Sequence, residues 1–380
     1  MALKVARRGR IPPFIVMDVM QAAAERVAQG KDVIHLEVGQ PSTGAPKGVI
    51  AAAHAALDSQ ALGYTLAFGH EALRHRIAGH YRDVYGVTVA PERVAVTVGS
   101  SGAFLLAFLA AFDPGDRVGI AAPGYPCYRQ ILTALGVEPV SMPVGAATGF
   151  QLTVAALDGI SDLDGLIVAS PSNPTGSVLA KADLDALIGW CAARGVRLIS
   201  DEIYHGIVYG ASVGTAAGAV DAITVNSFSK YFSMTGWRLG WMILPESLLR
   251  PVEVLAQNLF ISPPTLAQVA AQAAFDCGPE LDANVARYAR NRAILLNDLP
   301  GAGFDVFAPA QGAFYLYADV SRHTNDSEAF CRRMLAETGV ACTPGVDFDP
   351  AEGRRFMRIA YPGTEAEMAE AARRLRAWKK

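Results

Sequence analysis

What the 380-residue chain is short of narrows its chemistry before any motif is read. Its five cysteines, Cys127, Cys191, Cys277, Cys331 and Cys342, are an odd number, widely spaced and without a C-x-x-C pair. That excludes a disulfide framework and a cysteine-ligated zinc cluster, and leaves buried free thiols as the expectation. Charge of neither sign predominates: 33 Lys and Arg stand against 36 Asp and Glu, for a net charge of −3. The basic residues are scattered, so neither nucleic acid nor a membrane surface is expected as a partner. The longest unbroken apolar run, 103–112, is too short to span a bilayer and reads as a buried helix. Neither a Walker loop nor a G-x-G-x-x-G occurs. His70-Glu71 with His75 misses the metalloprotease H-E-x-x-H, because the second histidine comes one residue late and leaves the first one's helical face; no metal site is expected. Arg7, Arg8 and Arg10 precede apolar residues, but Pro12, Pro13 and Asp18 interrupt them. No signal-peptide core develops, and the cytoplasm is the expected location.

What is present is core-forming material. With 51% hydrophobic residues, a chain of this length can bury a large core and divide into two domains. The pattern predicts a helix over 17–29 ended by Gly30, a short strand over 33–36, a turn through Val38-Gly39-Gln40-Pro41, and helices over 46–57 and 69–85 with an irregular apolar loop at 63–68 between them. From Arg93 strands and helices alternate, with strands at 94–98, 117–122, 139–142, 166–169, 196–199 and 223–225. Such alternation predicts an α/β fold whose mostly parallel sheet is covered by helices on both faces. Helices dominate 248–299, the longest at 281–297, and the order strand, helix, strand, helix over 303–380 predicts a small α+β domain. The expected organisation is an amino-terminal segment, 1–45, joining a small carboxyl-terminal domain, 281–380, with a large domain, 46–280, between them.

In open parallel sheets ligands bind beyond the carboxyl ends of the strands, so the residues just past each strand are a test. The successive strands are followed by Gly99-Ser100-Ser101-Gly102, by Pro123-Gly124-Tyr125, by Asn173-Pro174-Thr175-Gly176, by Asp201-Glu202-Ile203-Tyr204, and by Ser227-Phe228-Ser229-Lys230. Each has an ordinary explanation: an N-cap, a core aromatic, a tight turn, a solvated lysine. Asp201 after a buried strand is harder to dismiss, because an acid there needs a partner or a neutral state. Together they deliver small residues at a helix amino terminus, an aromatic face, an amide, a carboxylate with a phenol, and an amine to one edge. Arg238 follows the amine by eight residues. An aromatic aldehyde bearing a phosphate would use all of these. The amine forms a Schiff base, the helix terminus and arginine take the phosphate, and the carboxylate keeps a ring nitrogen protonated. Pyridoxal 5′-phosphate is that ligand.

Ser227-Phe228-Ser229-Lys230 with Gly236-Trp237-Arg238-Leu239-Gly240, and Asn173-Pro174-Thr175-Gly176 ahead of Asp201-Glu202-x-Tyr204, resemble a class I/II aminotransferase of the aspartate aminotransferase superfamily, the type I fold of pyridoxal-phosphate enzymes. The resemblance runs from about Met17 to the carboxyl end. It implies that Lys230 is the Schiff-base lysine and proton shuttle, that Asp201 pairs with the ring nitrogen, and that Tyr204 and Asn173 hydrogen-bond the ring oxygen. It further implies that Tyr125 stacks on the ring and that Ser100, Ser101, Gly102, Ser227, Ser229 and Arg238 hold the phosphate. Tyr64 matches a tyrosine supplied across a dimer interface, which implies a homodimer with shared sites. Arg358 matches the arginine that clamps the substrate's α-carboxylate, with Gly39 and Asn173 beside it, and a planar guanidinium suits that bidentate task. The implied reaction is a ping-pong exchange of an amino group between an L-amino acid (aspartate-like, alanine or aromatic) and a 2-oxo acid such as 2-oxoglutarate. A dicarboxylate donor would need a further arginine, often one from the partner subunit, and Arg7, Arg8, Arg10, Arg287, Arg290 and Arg292 are equally open for it. Two other readings compete. The same fold hosts C–S lyases and decarboxylases, and Ser227-x-x-Lys230 formally fits the S-x-x-K of serine acyl enzymes, though S-D-N and K-T-G companions are missing.

Overall fold

β-branched runs such as Ile223-Thr224-Val225 form strands buried on both faces, and the chain builds its main sheet from such buried runs. The structure, a computed structural model, describes residues 3–160 and 162–379. Residue 380, where the carboxyl-terminal region is expected to end, lies outside the described residues, as do 1, 2 and 161. The chain opens with α1 (Ile15–Ala28), β1 (Ile34–His35), α2 (Lys47–Ser59) and α3 (Glu71–Tyr85). The alternating part comes next: β2 (Val94–Thr97), α4 (Gly99–Ala111), β3 (Arg117–Ala122), α5 (Pro126–Leu135), β4 (Glu138–Pro143), α6 (Val154–Leu157), β5 (Gly165–Ala169), α7 (Lys181–Arg194), β6 (Arg197–Asp201), β7 (Ile223–Ser227) and β8 (Gly240–Ile243). After it stand α8 (Glu246–Leu259), α9 (Thr265–Ala271) and α10 (Gly278–Asp298). The last stretch holds β9 (Tyr315–Asp319), α11 (Ser327–Thr338), β10 (Val340–Ala341), β11 (Thr343–Pro344), β12 (Phe356–Ala360) and α12 (Glu365–Ala377).

The seven-stranded sheet has the order β2-β8-β7-β6-β5-β3-β4. Every neighbouring pair is parallel except those made by β8, which runs antiparallel to both β2 and β7. The carboxyl ends of β2, β3, β5, β6 and β7 therefore share one edge. Because β8 is reversed, its amino end lies at that edge too, with Gly240 opposite Ser227. The residues between β7 and β8, which include Lys230 and Arg238, thus leave and rejoin the sheet at the same place. On one face the sheet is covered by α4, a helix apolar on all sides that packs against β7, β8 and α8 and buries Phe104, Leu106 and Phe108.

A second layer joins the two ends of the chain. β1 pairs in parallel with β10, Ile34 opposite Val340, while β11, β12 and β9 form an antiparallel sheet. The register sets Thr343 opposite Arg358 and Arg358 opposite Tyr317. α10 and α12 pack together behind these strands. Helix α1 begins at Ile15, two residues ahead of the expected 17, because the Asp347 carboxylate accepts the Ile15 and Val16 N–H groups.

Candidate active site

The shared sheet edge faces a cavity whose floor is the run from β7 and whose walls come from both layers. One corner is built for an anion. Gly99 turns the chain from β2 into α4 at φ +67°, and a Cβ there would lie 2.7 Å from the Arg238 guanidinium. Ser100 and Ser101 occupy the first turn of α4, where backbone N–H groups have no partner within the helix. Arg238 adopts a left-handed φ of 53° and donates to the Thr235 carbonyl at 3.0 Å, which fixes its guanidinium over that turn. Gly240 crosses so close that a Cβ would sit 2.9 Å from Gly99 and Ser100 backbone atoms. Ser229 lines this corner, whereas Ser227 stands one layer behind it, accepting the Ser229 N–H at 3.1 Å. Gly102 is also behind, facing Val98 and Phe260.

Across the cavity Asp201 ends β6, 3% exposed. Its carboxylate accepts the Ile203 N–H at 3.0 Å and the Tyr128 hydroxyl. Burial pushes this carboxyl up to about 6, opposed by the Tyr128 hydroxyl, the Ile203 amide and the charge of Lys230. Tyr125 ends the loop after β3 and meets Tyr128 edge-on at 5.3 Å and Phe14 at 5.9 Å. Lys230 donates its Nζ proton to the Gly39 carbonyl at 2.5 Å and lies 5.7 Å from the Tyr204 ring centre. Desolvation, then the positive charges of Arg358 and Arg238, bring its amine down to about 8, with Asp201 pulling the other way. The Tyr204 hydroxyl lies 2.5 Å from that of Tyr315. Gly39 passes over Tyr315 so tightly that a Cβ would fall 1.8 Å from its hydroxyl oxygen.

Arg358, 2% exposed in β12, closes the far side. One Nη donates to Asn173 Oδ1 at 3.0 Å; the other reaches the Glu37 carbonyl and, at 3.2 Å, Thr343 Oγ1. Its guanidinium is sandwiched between the rings of Tyr315 (4.5 Å) and Phe348 (4.8 Å). Its buried Nε has no protein partner.

The cavity thus gathers Gly39, Ser100, Ser101, Tyr125, Asn173, Asp201, Tyr204, Ser229, Lys230, Arg238 and Arg358. Tyr64 is not among its lining residues: it is 83% exposed on the irregular loop before α3. The six open arginines also stay outside. Arg7, Arg8 and Arg10 are exposed, Arg287 reaches Ser42, Arg290 pairs with Glu365, and Arg292 donates to the Ala310 carbonyl. Sequence reasoning missed Tyr128, Tyr315 and the wall of Phe14, Val16 and Met17. Tyr128 had a signal, since it comes one helical turn after Tyr125 and so shares its face. Tyr315 had none, for its strand reads as core.

A sequence profile of the family described as aminotransferase class I and II matches residues 31–375. The chain belongs to that family. The valine–pyruvate aminotransferase of Mycobacterium tuberculosis is 52% identical over 99% of this chain and 98% of its own length. The crystal structure of an aminotransferase from the same organism superposes with a TM-score of 0.97 at 52% identity, covering 99% of both chains. That of an aminotransferase from Silicibacter pomeroyi gives 0.93, also at 52% identity and 99% coverage of each.

As a class I and II aminotransferase the enzyme depends on pyridoxal 5′-phosphate, and its residues fit that group. The glycine-crossed helix terminus under Arg238 has the open N–H groups and the cation that suit a phosphate, and a buried carboxylate that burial disfavours as an anion would gain by meeting a cationic ring nitrogen. The amine between them is partly neutral near pH 8. The serine acyl reading fails on geometry. Ser227 is 1% exposed, bonded to its neighbours, and does not line the cavity.

Proposed function

We propose that this aminotransferase carries an amino group from an aliphatic L-amino acid of the valine or alanine type to a 2-oxo acid such as pyruvate, in a ping-pong exchange. The carrying observation is the apolar wall of the cavity. Phe14 at the N-cap of α1 and Val16 and Met17 in its first turn, with Tyr125, are apolar, and among the described residues the cavity's cationic side chains are Lys230, Arg238 and Arg358 alone. Each of the three has a task, so this chain offers no guanidinium to a side-chain carboxylate. Within this chain the second carboxylate of an aspartate-like donor would find no cation to pair with, and an unpaired buried charge is strongly disfavoured. The name of the 52% identical relative, a valine–pyruvate enzyme, supports the same choice.

Bound here, pyridoxal phosphate supplies an aldehyde that takes up the amino group and a ring that delocalises the electrons left at the substrate's Cα. Ser100, Ser101, Ser229 and Arg238 would hold its phosphate, and Tyr125 would supply an aromatic face to its ring. Asp201, oriented by Tyr128 and the Ile203 amide, keeps the ring nitrogen protonated, while Tyr204 and Asn173 donate toward the ring oxygen. Arg358 and the Gly39 backbone bind the α-carboxylate and so orient Cα. Lys230 is the amine that would hold the aldehyde, and an amine held near 8 is a usable base at neutral pH for the proton at the substrate's Cα. We place Tyr64 in the partner subunit's site of a homodimer, which its exposure on an irregular loop permits. The five cysteines are all free thiols, which suits the reducing cytoplasm.

The test is a panel of amino donors with pyruvate and 2-oxoglutarate as acceptors. Valine and alanine are expected to exceed aspartate and glutamate by roughly 100-fold or more in kcat/KM, the scale of leaving a buried polar group unpaired. Aspartate transfer as fast as valine transfer would overturn the assignment.

A further inference from the structure

Helix α1 has no cap of its own. Its N-cap residue is Phe14, which carries no side-chain acceptor, and Pro12 and Pro13 precede it. The acceptors come from the far end of the chain. Asp347 Oδ1 receives the N–H of Ile15 at 3.1 Å and Oδ2 that of Val16 at 3.2 Å. Asp347 is 2% exposed and lies three residues past β11, on the segment whose register sets Thr343 against Arg358. Its neighbour Phe348 packs under the Arg358 guanidinium, and the Phe348 carbonyl accepts the Gly124 N–H at 3.1 Å, in the loop that carries Tyr125. The Asp347 carbonyl accepts from Arg129 of α5 at 3.2 Å. One carboxylate therefore ties together the segment that feeds the carboxylate clamp and the first turn of α1, which presents Phe14, Val16 and Met17 to the cavity.

We infer that Asp347 is a positioning residue for side-chain specificity: by capping α1 it holds the apolar wall at the distance that receives a branched aliphatic side chain. The inference rests on the aliphatic-donor reading above. Burial works against the charge of Asp347, and the two amides together with the charges of Arg358 and Arg129 work for it. This is the balance expected of a carboxylate kept for what it holds. The geometry also separates the roles. Asp347 does not line the cavity, and its carboxylate bonds the Ile15 and Val16 amides and feels Arg358 only through charge, so losing it is expected to act chiefly on the wall.

The experiment compares wild type, Asp347→Ala and Asp347→Asn, each as the full-length enzyme loaded with cofactor. Steady-state kinetics are measured for valine and for alanine, and amide hydrogen exchange is monitored over α1. In Asp347→Ala, kcat/KM for valine is expected to fall by about 10-fold through KM, the scale of one or two methylenes out of place. Alanine, too short to reach the wall, stays within about twofold. Asp347→Asn, which keeps one acceptor, falls between, and the Ile15 and Val16 amides exchange faster in both variants. Equal losses for valine and alanine, or unchanged exchange at α1, would overturn the inference. Should Asp347→Ala not fold, Asp347→Asn alone must show the same valine-selective loss or the inference fails. A wild-type enzyme that does not transaminate valine refutes the aliphatic-donor reading instead, and the exchange data still decide whether Asp347 holds α1.

Discussion

Replacing Asp201 with asparagine is expected to stabilise the cofactor-free enzyme while abolishing its activity. In the folded chain burial pushes this carboxyl up to about 6 from an ordinary 3.8. Between those two values the folded protein holds a proton that the unfolded chain has released. Stability from this group therefore falls as pH rises through that window and is lowest above it. At about 1.4 kcal/mol per pH unit, a gap of about two units makes the charged group cost about 3 kcal/mol at pH 7.5 and roughly half of that at pH 5. Asparagine escapes this penalty but satisfies only one of the two donors, Tyr128 and Ile203, losing about 1 kcal/mol. The net gain is about 2 kcal/mol at pH 7.5. With an unfolding entropy of about 2 cal/mol/K per residue, that corresponds to a rise of roughly 2 to 3 °C in Tm. Glu202, which burial and, in smaller part, the charge of Asp201 push up to about 7, titrates in both proteins; removing the Asp201 charge lowers it in the variant, which adds to the gain at pH 7.5. Calorimetry of the two cofactor-free proteins at pH 7.5 and pH 5 measures the difference. An asparagine variant less stable than wild type at pH 7.5, or an advantage that does not shrink at pH 5, would refute the reasoning. A carboxylate kept for a ring nitrogen is in this sense a burden until the ring arrives.

Three further outcomes are expected. Arg358→Lys replaces a planar fork that bonds Asn173 and Thr343 with a point charge, so KM should rise roughly 10- to 100-fold for every donor, leaving the valine-to-alanine ratio unchanged in a steady-state assay. The Lys230 amine of the cofactor-free enzyme should reach half-maximal reactivity toward reductive methylation near pH 8. In Arg358→Ala that midpoint should move upward, because removing a positive neighbour favours the charged amine; a downward move would contradict the assignment. Gly39→Ala would drive a Cβ to within 1.8 Å of the Tyr315 hydroxyl and displace the carbonyl that receives Lys230. Activity should fall by about 100-fold, the scale of a displacement of about 1 Å at a reacting group, with circular dichroism checking that the fold survives.

The strand ends of the main sheet were legible in the sequence because each buried run stops abruptly at a chemically distinctive turn. Asp201, Asn173 and Lys230 all come after such runs, and strand alternation alone brings them to one edge. The parts that were not legible depend on contacts between distant parts of the chain. Helix α1 begins at Ile15 rather than 17 because its cap is Asp347, a residue no local pattern connects to it. Tyr315 reads as core because its strand is buried on both faces, yet its hydroxyl meets Tyr204. Arg358 was found by resemblance; that its guanidinium lies between two aromatic rings is decided only by the packing of β9 and β12 with the segment after β11. Ser227 and Ser229 illustrate the opposite limit. Two hydroxyls two residues apart are equivalent on paper, and only the bend after β7 puts one in the cavity and the other behind it.

The reversed strand β8 has a consequence for how this enzyme can vary. Because Ser227 and Gly240 are cross-strand neighbours, residues 228–239 form an excursion whose two feet are bolted side by side. Any shear of the sheet carries the amine and its companion guanidinium as one piece, so their spacing is insulated from drift elsewhere in the scaffold. The whole excursion is therefore a natural unit for grafting between relatives: transplanted with both feet, it should bring its reactive pair already aligned.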